Sequence, residues 1–260
     1  MEQLVDVSYS PLMPEIRTMD VWLPDAPSRN GAALLFIHGG GWKAGNKQQF
    51  ADVAAWFCRH GFVCASMKYR LSGEAKYPAA VEDARLAMSF LRGQADRWGF
   101  KPDKLASIGS SAGGYLAAML GLTATEKGGI EEGPLIRLSR PNAIALYCPV
   151  TTLSADRAFV REFMGVHVQD APELYVEASP IHRVRGTEPP ILVVQGDADT
   201  TTPIEEARLF VQRLQEAGGS AELVTLPGVG HGFGYGVKTD AQQTSCEHML
   251  GFLRRTLAVS

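Results

Sequence analysis

The stretch Gly109-Ser110-Ser111-Ala112-Gly113 follows an apolar run and precedes a segment of small residues with helical spacing. Glycines two positions before and after Ser111 permit a sharp turn from a strand into a helix, because larger side chains would clash there. Such a turn holds the serine Oγ out at the end of a sheet, within reach of a base and a substrate. The pattern arises by chance roughly 0.2 times per chain of this composition, so the surrounding segments decide what it means.

Short apolar runs alternate with helical segments along the whole chain, which predicts an α/β fold. Residues 33–38 form a continuous apolar run, which is typical of a strand buried on both faces. We predict a mostly parallel central sheet with helices on both faces, and an antiparallel hairpin of the first two strands at one edge. The predicted strands are residues 5–10, 17–23, 33–38, 62–67, 105–109, 142–150, 190–195 and 221–226, and the predicted helices are residues 48–60, 78–98, 115–122, 204–217 and 239–257.

The length of 260 residues and the hydrophobic content of 45% are those of one globular domain covering residues 1–260. Residues 151–185 are irregular and partly helical, so they are the candidate for a small lid or substrate-shaping segment. A net charge of −3, with no run rich in lysine or arginine, argues against nucleic acid as a partner.

The first twelve residues lack the basic start and apolar stretch of a signal peptide, and no apolar run approaches the length of a membrane span. We therefore expect a cytoplasmic protein without a membrane partner, or a secreted one if a leader was removed. The four cysteines and six histidines have no metal or redox spacing, so neither a metal nor an organic cofactor is expected.

A glycine triplet directly follows the 33–38 run, in the sequence His38-Gly39-Gly40-Gly41-Trp42. Consecutive glycines let backbone N–H groups approach a developing negative charge without obstruction by side chains, as acyl-transfer enzymes require. The candidate oxyanion donors are the N–H groups of Gly40, Gly41 and Ala112. The alternative is a glycine-rich turn without any chemistry.

The loop after the 190–195 run contains two aspartates, Asp197 and Asp199, and leads into a helix. Either carboxylate could cap the helix or stabilise a turn, which is the commoner role of aspartate at such places. We favour Asp199 as the acid of a catalytic triad and retain Asp197 as the alternative.

A histidine between glycines, His231, follows the last predicted strand. A loop histidine of this kind can reach a hydroxyl elsewhere in the fold, although an isolated surface histidine is the usual case. Ser111, Asp199 and His231 then occur in the order that α/β-hydrolases use, each after a predicted strand. We expect His38 to orient the glycine loop rather than to act as a base, and the remaining histidines to be structural. Trp42 is the candidate substrate-binding side chain.

With these motifs the chain resembles the α/β-hydrolase superfamily over nearly all of its length. The glycine triplet and the Ser111 motif resemble the esterase and lipase group that includes hormone-sensitive-lipase-like carboxylesterases. The stretches 69–84 and 175–181 are similar to small bacterial esterases known as bifunctional feruloyl and acetylxylan esterases. Thr202 departs from the valine that such sequences often carry before the proline of the acid loop. Few residues precede the first buried strand, so the resemblance implies a fold without a large cap domain.

The resemblance implies a serine carboxylesterase that hydrolyses small-molecule or carbohydrate esters of acetyl or feruloyl type. A closely related alternative is an amide hydrolase similar to kynurenine formamidase. A peptidase on the same fold would normally carry an extra gating domain, for which this chain has no room. A non-catalytic ligand-binding protein on this fold tends to lose a triad member, most often the histidine, whereas His231 is present.

Overall fold

The computed structural model describes residues 1–123, 133–153 and 157–260. Eight strands lie in these residues: β1 Glu2–Ser8, β2 Thr18–Leu23, β3 Ala33–Ile37, β4 Val63–Met67, β5 Leu105–Ser110, β6 Ala143–Tyr147, β7 Ile191–Gly196 and β8 Ala221–Leu226. They form one sheet in the order β1-β2-β4-β3-β5-β6-β7-β8.

Helices connect the strands and cover both faces of the sheet. In the described residues they are α1 Ala51–Arg59, α2 Ala79–Gly93, α3 Ala95–Trp98, α4 Ala112–Met119, α5 Pro134–Ser139, α6 Ala158–Met164, α7 Pro172–Ala178, α8 Ile204–Glu216 and α9 Asp240–Leu257.

In this spatial order, each neighbouring pair from β4 and β3 to β7 and β8 is parallel, while β1 and β2 pair antiparallel at one edge. This is the α/β-hydrolase fold, and the predicted fold class and edge hairpin are confirmed. Parallel strands end at the same edge of a sheet. The loops after β3, β5, β7 and β8, which hold the predicted site residues, therefore lie together at that edge.

Strand residues alternate between two hydrophobic cores, one on each side of the sheet, as the two-residue period of a strand requires. In β3, Leu35 and Ile37 pack with α2, α4 and α8 in one core. Leu34 and Phe36 face the opposite side and pack with α1 and α9 in the other. Both faces of the central strands are thus buried, which explains their continuous apolar sequences.

Several helices differ from prediction in their bounds or number. The helix predicted at residues 78–98 is divided at Gln94 into α2 and α3. The helix predicted to begin at residue 115 begins at Ala112, because Gly113 and Gly114 are helical despite their low helix propensity. Helix α5 was not predicted; its six residues are too few to display a helical period.

The segment 151–185 folds as α6, α7 and a 3₁₀ turn at Pro180–Arg183, with residues 154–156 outside the described part. Its apolar side chains Phe163 and Tyr175 are buried in the core that contains α2 and α4. The segment therefore packs onto the domain, and its role as a lid remains a prediction. Among the described helices, none combines the length and hydropathy needed to cross a bilayer.

Candidate active site

Ser111 is the single residue between the end of β5 and the start of α4. Its φ of 55° and ψ of −120° place it in a strained region that non-glycine residues rarely adopt. The conformation is held by its N–H, which donates to the carbonyl of Tyr147 on the neighbouring strand at 2.9 Å. The strand–turn–helix context expected around Ser111 is therefore present.

The two glycines of the motif allow the turn to pack closely. A Cβ atom at Gly109 would clash with the backbone of Gly113, and a Cβ at Gly113 would clash with the carbonyl of Ile37. The first contact lies within the turn, whereas the second joins the start of α4 to the end of β3. Glycine is thus needed at these two positions because other backbone atoms approach closely. A positive φ is not the reason, since neither residue has a positive φ.

His231 lies between Ser111 and Asp199, which come from loops far apart in the sequence. The Nε2 atom of His231 is 2.9 Å from Oγ of Ser111, and its Nδ1 atom is 2.7 Å from Oδ2 of Asp199. This arrangement can take a proton from a serine hydroxyl while a carboxylate holds the imidazole in the required tautomer.

The Asp199 carboxylate is buried and fully hydrogen-bonded. Its Oδ1 accepts from the N–H groups of Thr201 and Thr202, and its Oδ2 accepts from Nε2 of Gln195 and Oγ1 of Thr202 as well as from His231. Burial alone would raise the pKa of Asp199, but the hydrogen bonds from Thr202 and His231 lower it, so the carboxylate is charged.

Asp197 lies elsewhere in the same loop. Its side chain is exposed and its Oδ1 accepts from the N–H of Gly228 at 2.6 Å. This contact joins the loop after β7 to the loop after β8, which is a turn-stabilising role. Of the two aspartates, the structure brings Asp199 to His231.

Cys148 is a neighbour of the triad that the sequence did not reveal. It is buried after β6 with a φ of 37°, and its ligand atom lies within 4.8 Å of those of Asp199 and His231. These three residues are the one group in the described chain with the composition of a metal site. The Asp199 oxygens already accept hydrogen bonds from protein donors, so the geometry matches a hydrogen-bonded carboxylate better than a metal ligand.

The imidazole of His231 is basic in this environment. Burial favours the neutral form, but the side chains of Cys148 and Asp199 outweigh it and raise the pKa of His231 to about 9. Proton transfer from a serine hydroxyl to such an imidazole is correspondingly favourable.

The peptide groups of the glycine triplet have fixed directions. The carbonyl of Gly39 lies 2.8 Å from Nδ1 of His38, and the carbonyl of Gly40 accepts from the N–H groups of Lys43 and Ala44. Because C=O and N–H point in opposite directions across a trans peptide, these bonds aim the N–H groups of Gly40 and Gly41 the other way.

The candidate oxyanion donors are available for a ligand. In the parts of the chain that the structure describes, the N–H groups of Gly40 and Gly41 donate to no protein acceptor. Ala112 is the first residue of α4, where an N–H has no acceptor within the helix. A Cβ at Gly39 would come within 3.2 Å of Cβ of Ser111, so the loop lies directly beside the turn.

His38 is buried, and burial lowers its pKa to about 4. It is therefore neutral near pH 7, stacks on the ring of Tyr69 at 4.3 Å between centroids and contacts Gly39 through Nδ1. These contacts fit the expected orienting function.

The Trp42 side chain lies in the core rather than at an open surface. Its indole is fully buried and stacks on Phe163 of α6, with ring centroids 4.1 Å apart. Phe159, half-buried on the same helix, faces Gly41 and also contacts the indole. The structure therefore gives Trp42 packing contacts with α6, and its role in substrate binding remains a prediction.

Sequence reasoning missed Thr202, Cys148 and Tyr235 as neighbours of the site. Thr202 bonds to Asp199 and lies 3.3 Å from Nδ1 of His231, and the hydroxyl of Tyr235 accepts from the N–H of Gly39. Thr202 had a signal, since it departs from the valine expected there, but Cys148 and Tyr235 reach the site only through the tertiary fold.

The chain is similar in sequence and fold to known esterases. The model of the BD-FAE family matches residues 19–214, a range that includes Ser111 and Asp199 and ends before His231. Esterase LipC of Mycobacterium tuberculosis is 34% identical over 227 residues, which are 83% of this chain and 56% of LipC. An ethyl acetate hydrolase of Pseudomonas putida is 29% identical over 80% of this chain and 68% of its own length. The chain thus spans little more than half of LipC.

Solved structures match over almost the whole chain. The thermophilic esterase Est2 of the planctomycete Thermogutta terrifontis is 30% identical with a TM-score of 0.79, covering 98% of this chain and 91% of Est2. Other structures of Est2 contain bound propionate or a phosphonyl group from sarin. A truncated carbohydrate esterase from gut microbiota, 23% identical with a TM-score of 0.83, matches in fold and covers 99% of this chain and 97% of its own.

Proposed function

Because the chain belongs to the BD-FAE family, we propose that it is a serine carboxylesterase that cleaves short-chain, aryl-linked or carbohydrate-linked esters through an acyl-enzyme. The observation that carries this proposal is the position of His231, with one ring nitrogen 2.9 Å from Ser111 Oγ and the other 2.7 Å from the Asp199 carboxylate.

In the first step, neutral His231 takes the proton of Ser111 as Oγ attacks the ester carbonyl carbon. The negative charge of Asp199 stabilises the imidazolium that forms and keeps its Nδ1 proton in place. The strained backbone of Ser111 presents Oγ at the carboxyl edge of the sheet, so the attack needs no rearrangement of the turn.

The tetrahedral oxyanion is received by the N–H groups of Gly40, Gly41 and Ala112. In enzymes where one such donor has been removed, the activation barrier rises by about 3 kcal/mol. The N–H of Ser111 itself is bonded to Tyr147 and that of Gly39 to Tyr235, so these two are excluded as donors.

Collapse of the intermediate expels the alcohol, which takes its proton from His231. Water then attacks the acyl-enzyme with His231 again acting as base, and the acid leaves as Ser111 recovers its proton. The catalytic groups in these steps are side chains and backbone N–H groups of this chain.

For the acyl group, short chains are proposed. Est2 has been solved with propionate, and the Pseudomonas relative hydrolyses ethyl acetate by its name. The half-buried Phe159 beside Gly41 supports a confined acyl site, because a bulky ring there limits the space next to the oxyanion donors.

The proposal is tested with p-nitrophenyl acetate and fluorophosphonate labelling of the wild-type chain, Ser111→Ala and Ser107→Ala. Ser107 is a buried serine of the same strand whose Oγ donates to the carbonyl of Ala117, so it is a matched control. We expect turnover and labelling in the wild type and the control, and neither in Ser111→Ala. Wild-type turnover by Ser111→Ala would refute the proposal.

The ester class is tested by comparing kcat/KM for nitrophenyl esters of increasing acyl length, methyl ferulate and acetylated xylan. Acetyl to butyryl esters are expected to react fastest among the nitrophenyl series. Formylkynurenine belongs in the same panel, because faster hydrolysis of its formamide than of any ester would favour the amide-hydrolase alternative.

A further inference from the structure

Tyr235 joins the glycine triplet to the loop that carries His231. Its hydroxyl accepts a hydrogen bond of 2.7 Å from the N–H of Gly39, which lies 196 residues away in the sequence. Tyr235 follows His231 by four positions, at the end of the 3₁₀ turn Phe233–Tyr235. One side chain thus links the candidate oxyanion loop and the candidate base.

The first peptide of the loop is held from both sides by tyrosine hydroxyls. The carbonyl of His38 accepts from the hydroxyl of Tyr69 at 2.9 Å, while the N–H of Gly39 in the same peptide donates to Tyr235. A peptide group is planar, so fixing both its ends fixes the plane from which the next two peptides extend. The free N–H groups of Gly40 and Gly41 belong to those two peptides.

The Tyr235 ring is itself held in place. It packs against Phe50 with ring centroids 4.9 Å apart. Burial raises the pKa of Tyr235, so the hydroxyl remains protonated and neutral. The hydroxyl therefore holds the glycine loop without adding a charge.

We propose that Tyr235 is a positioning residue for catalysis: its hydroxyl holds the Gly39 peptide so that the Gly40 and Gly41 N–H groups stay aimed at the charge that develops beside Ser111. This inference rests on the proposed esterase function. Removing the hydroxyl leaves the Gly39 N–H without its acceptor and releases one side of the first peptide. Donors aimed less accurately bind the oxyanion less well, while the ground-state ester is bound as before.

The test compares Tyr235→Phe with the wild type and with Tyr9→Phe. Phenylalanine retains the ring that packs on Phe50, so the fold is expected to survive. Tyr9 is a matched control because its hydroxyl donates to the carbonyl of Lys68, also at 2.7 Å, and makes no hydrogen bond to the glycine loop. Active sites are counted by fluorophosphonate titration, so that kcat refers to folded, reactive enzyme.

For Tyr235→Phe we expect kcat per titrated site to fall about tenfold, less than the loss from removing a donor outright. KM should stay within about twofold of wild type, because ground-state binding is unchanged. Inhibition by an aryl trifluoromethyl ketone, which forms an oxyanion at Ser111, should weaken by a factor similar to that in kcat. Tyr9→Phe should match wild type in all three quantities.

An unchanged kcat per site in Tyr235→Phe, or a raised KM at constant kcat, would overturn the inference. A lower yield of titratable sites with normal kcat would also overturn it, because that result is the signature of a purely structural residue. A wild-type chain that neither hydrolyses esters nor takes up fluorophosphonate would instead contradict the proposed function, and this inference with it.

Discussion

The Nδ1 atom of His231 lies 2.7 Å from Oδ2 of Asp199, and the second oxygen of that carboxylate accepts two backbone N–H groups. Asp199 therefore cannot rotate away from His231 without losing hydrogen bonds to Thr201 and Thr202. This arrangement makes the carboxylate a fixed partner of the imidazole.

Asp199→Asn is expected to lower kcat by roughly 10³–10⁴-fold, by analogy with the loss of the corresponding acid in serine proteases. An amide at this position can donate to Nδ1 of His231, which stabilises the tautomer with its proton on Nε2, facing Ser111. The measurement is kcat for p-nitrophenyl acetate per titrated site.

Asp197→Asn is the matched control, since it makes the same chemical change two residues away. Its carboxylate is exposed and accepts from Gly228, so kcat should change less than about threefold. A larger loss in Asp197→Asn than in Asp199→Asn would mean that the acid has been assigned to the wrong residue.

Esterase activity should rise with pH over the range in which His231 loses its proton. The neutral imidazole is the base, and the pKa of His231 is raised to about 9 in the free chain. The acidic limb is the rise of kcat/KM as pH increases, and its midpoint is therefore expected well above pH 6.5. Hydrolysis of the ester by the buffer alone is subtracted. An acidic limb at or below pH 6.5 would contradict this prediction.

The contribution of His231 to the free energy of unfolding should change with pH in the opposite direction to the activity. A pKa raised in the folded state contributes stability that is present below the unfolded value near 6.5 and is lost as pH rises through about 9. Between these values activity should increase while the His231 contribution to stability decreases. Urea unfolding of wild type and His231→Gln at several pH values isolates that contribution.

Cys148 provides an independent check on the titration. Its side chain contributes to the raised pKa of His231, so Cys148→Ala should move the acidic limb to lower pH. Cys64→Ala, which changes a buried cysteine on β4, should leave the limb in place. A limb that stays unchanged in Cys148→Ala would exclude this contribution.

The sequence was sufficient to predict the sheet, because its central strands are buried on both faces and read as continuous apolar runs. It was also sufficient to place Ser111 and His231 in loops at one edge, since parallel strands end together. It favoured Asp199 as the acid but left Asp197 open, because both aspartates lie in the loop that follows β7 and turn chemistry does not separate them. The choice depends on the loop path, which places one carboxylate on His231 and the other on Gly228.

Long-range contacts were beyond prediction for a related reason. The bond between Tyr235 and Gly39 joins loops at opposite ends of the chain, and no local period or motif encodes it. Trp42 is the converse case: its neighbours in sequence belong to the candidate site, but its side chain does not. Its own backbone, with a φ of 58°, places the indole in the core.

Gly113→Ala is expected to prevent or severely weaken folding, because the added Cβ would clash with the carbonyls of Ile37 and His38. Backbone atoms at the end of β3 cannot move without disturbing the sheet and the glycine triplet that follows. The measurement is the yield of folded protein and its thermal midpoint.

Gly93→Ala makes the same change at the last residue of α2, where an added Cβ meets no atom within 4 Å. Alanine is the better helix former, so this variant should gain up to about 1 kcal/mol of stability. Equal stability of the two variants would show that Gly113 is not required for close approach.

Asp83→Ala is expected to lower the free energy of unfolding by about 3–5 kcal/mol, the usual effect of breaking a buried ion pair from one side. The Asp83 side chain is fully buried and accepts from Nε of both Arg17 and Arg70 at 2.8 Å, and from the N–H of Arg70 at 2.9 Å. Its removal leaves two guanidinium groups without their principal acceptor and releases α2 from the loops after β1 and β4. Glu82→Ala is the control. It removes the adjacent carboxylate, which also pairs with Arg70 but whose side chain is 54% exposed, and it should lower the free energy of unfolding by less than about 1 kcal/mol. Urea unfolding of both variants measures the difference, and a loss in Asp83→Ala no larger than that in Glu82→Ala would show that the buried carboxylate does not hold these elements together.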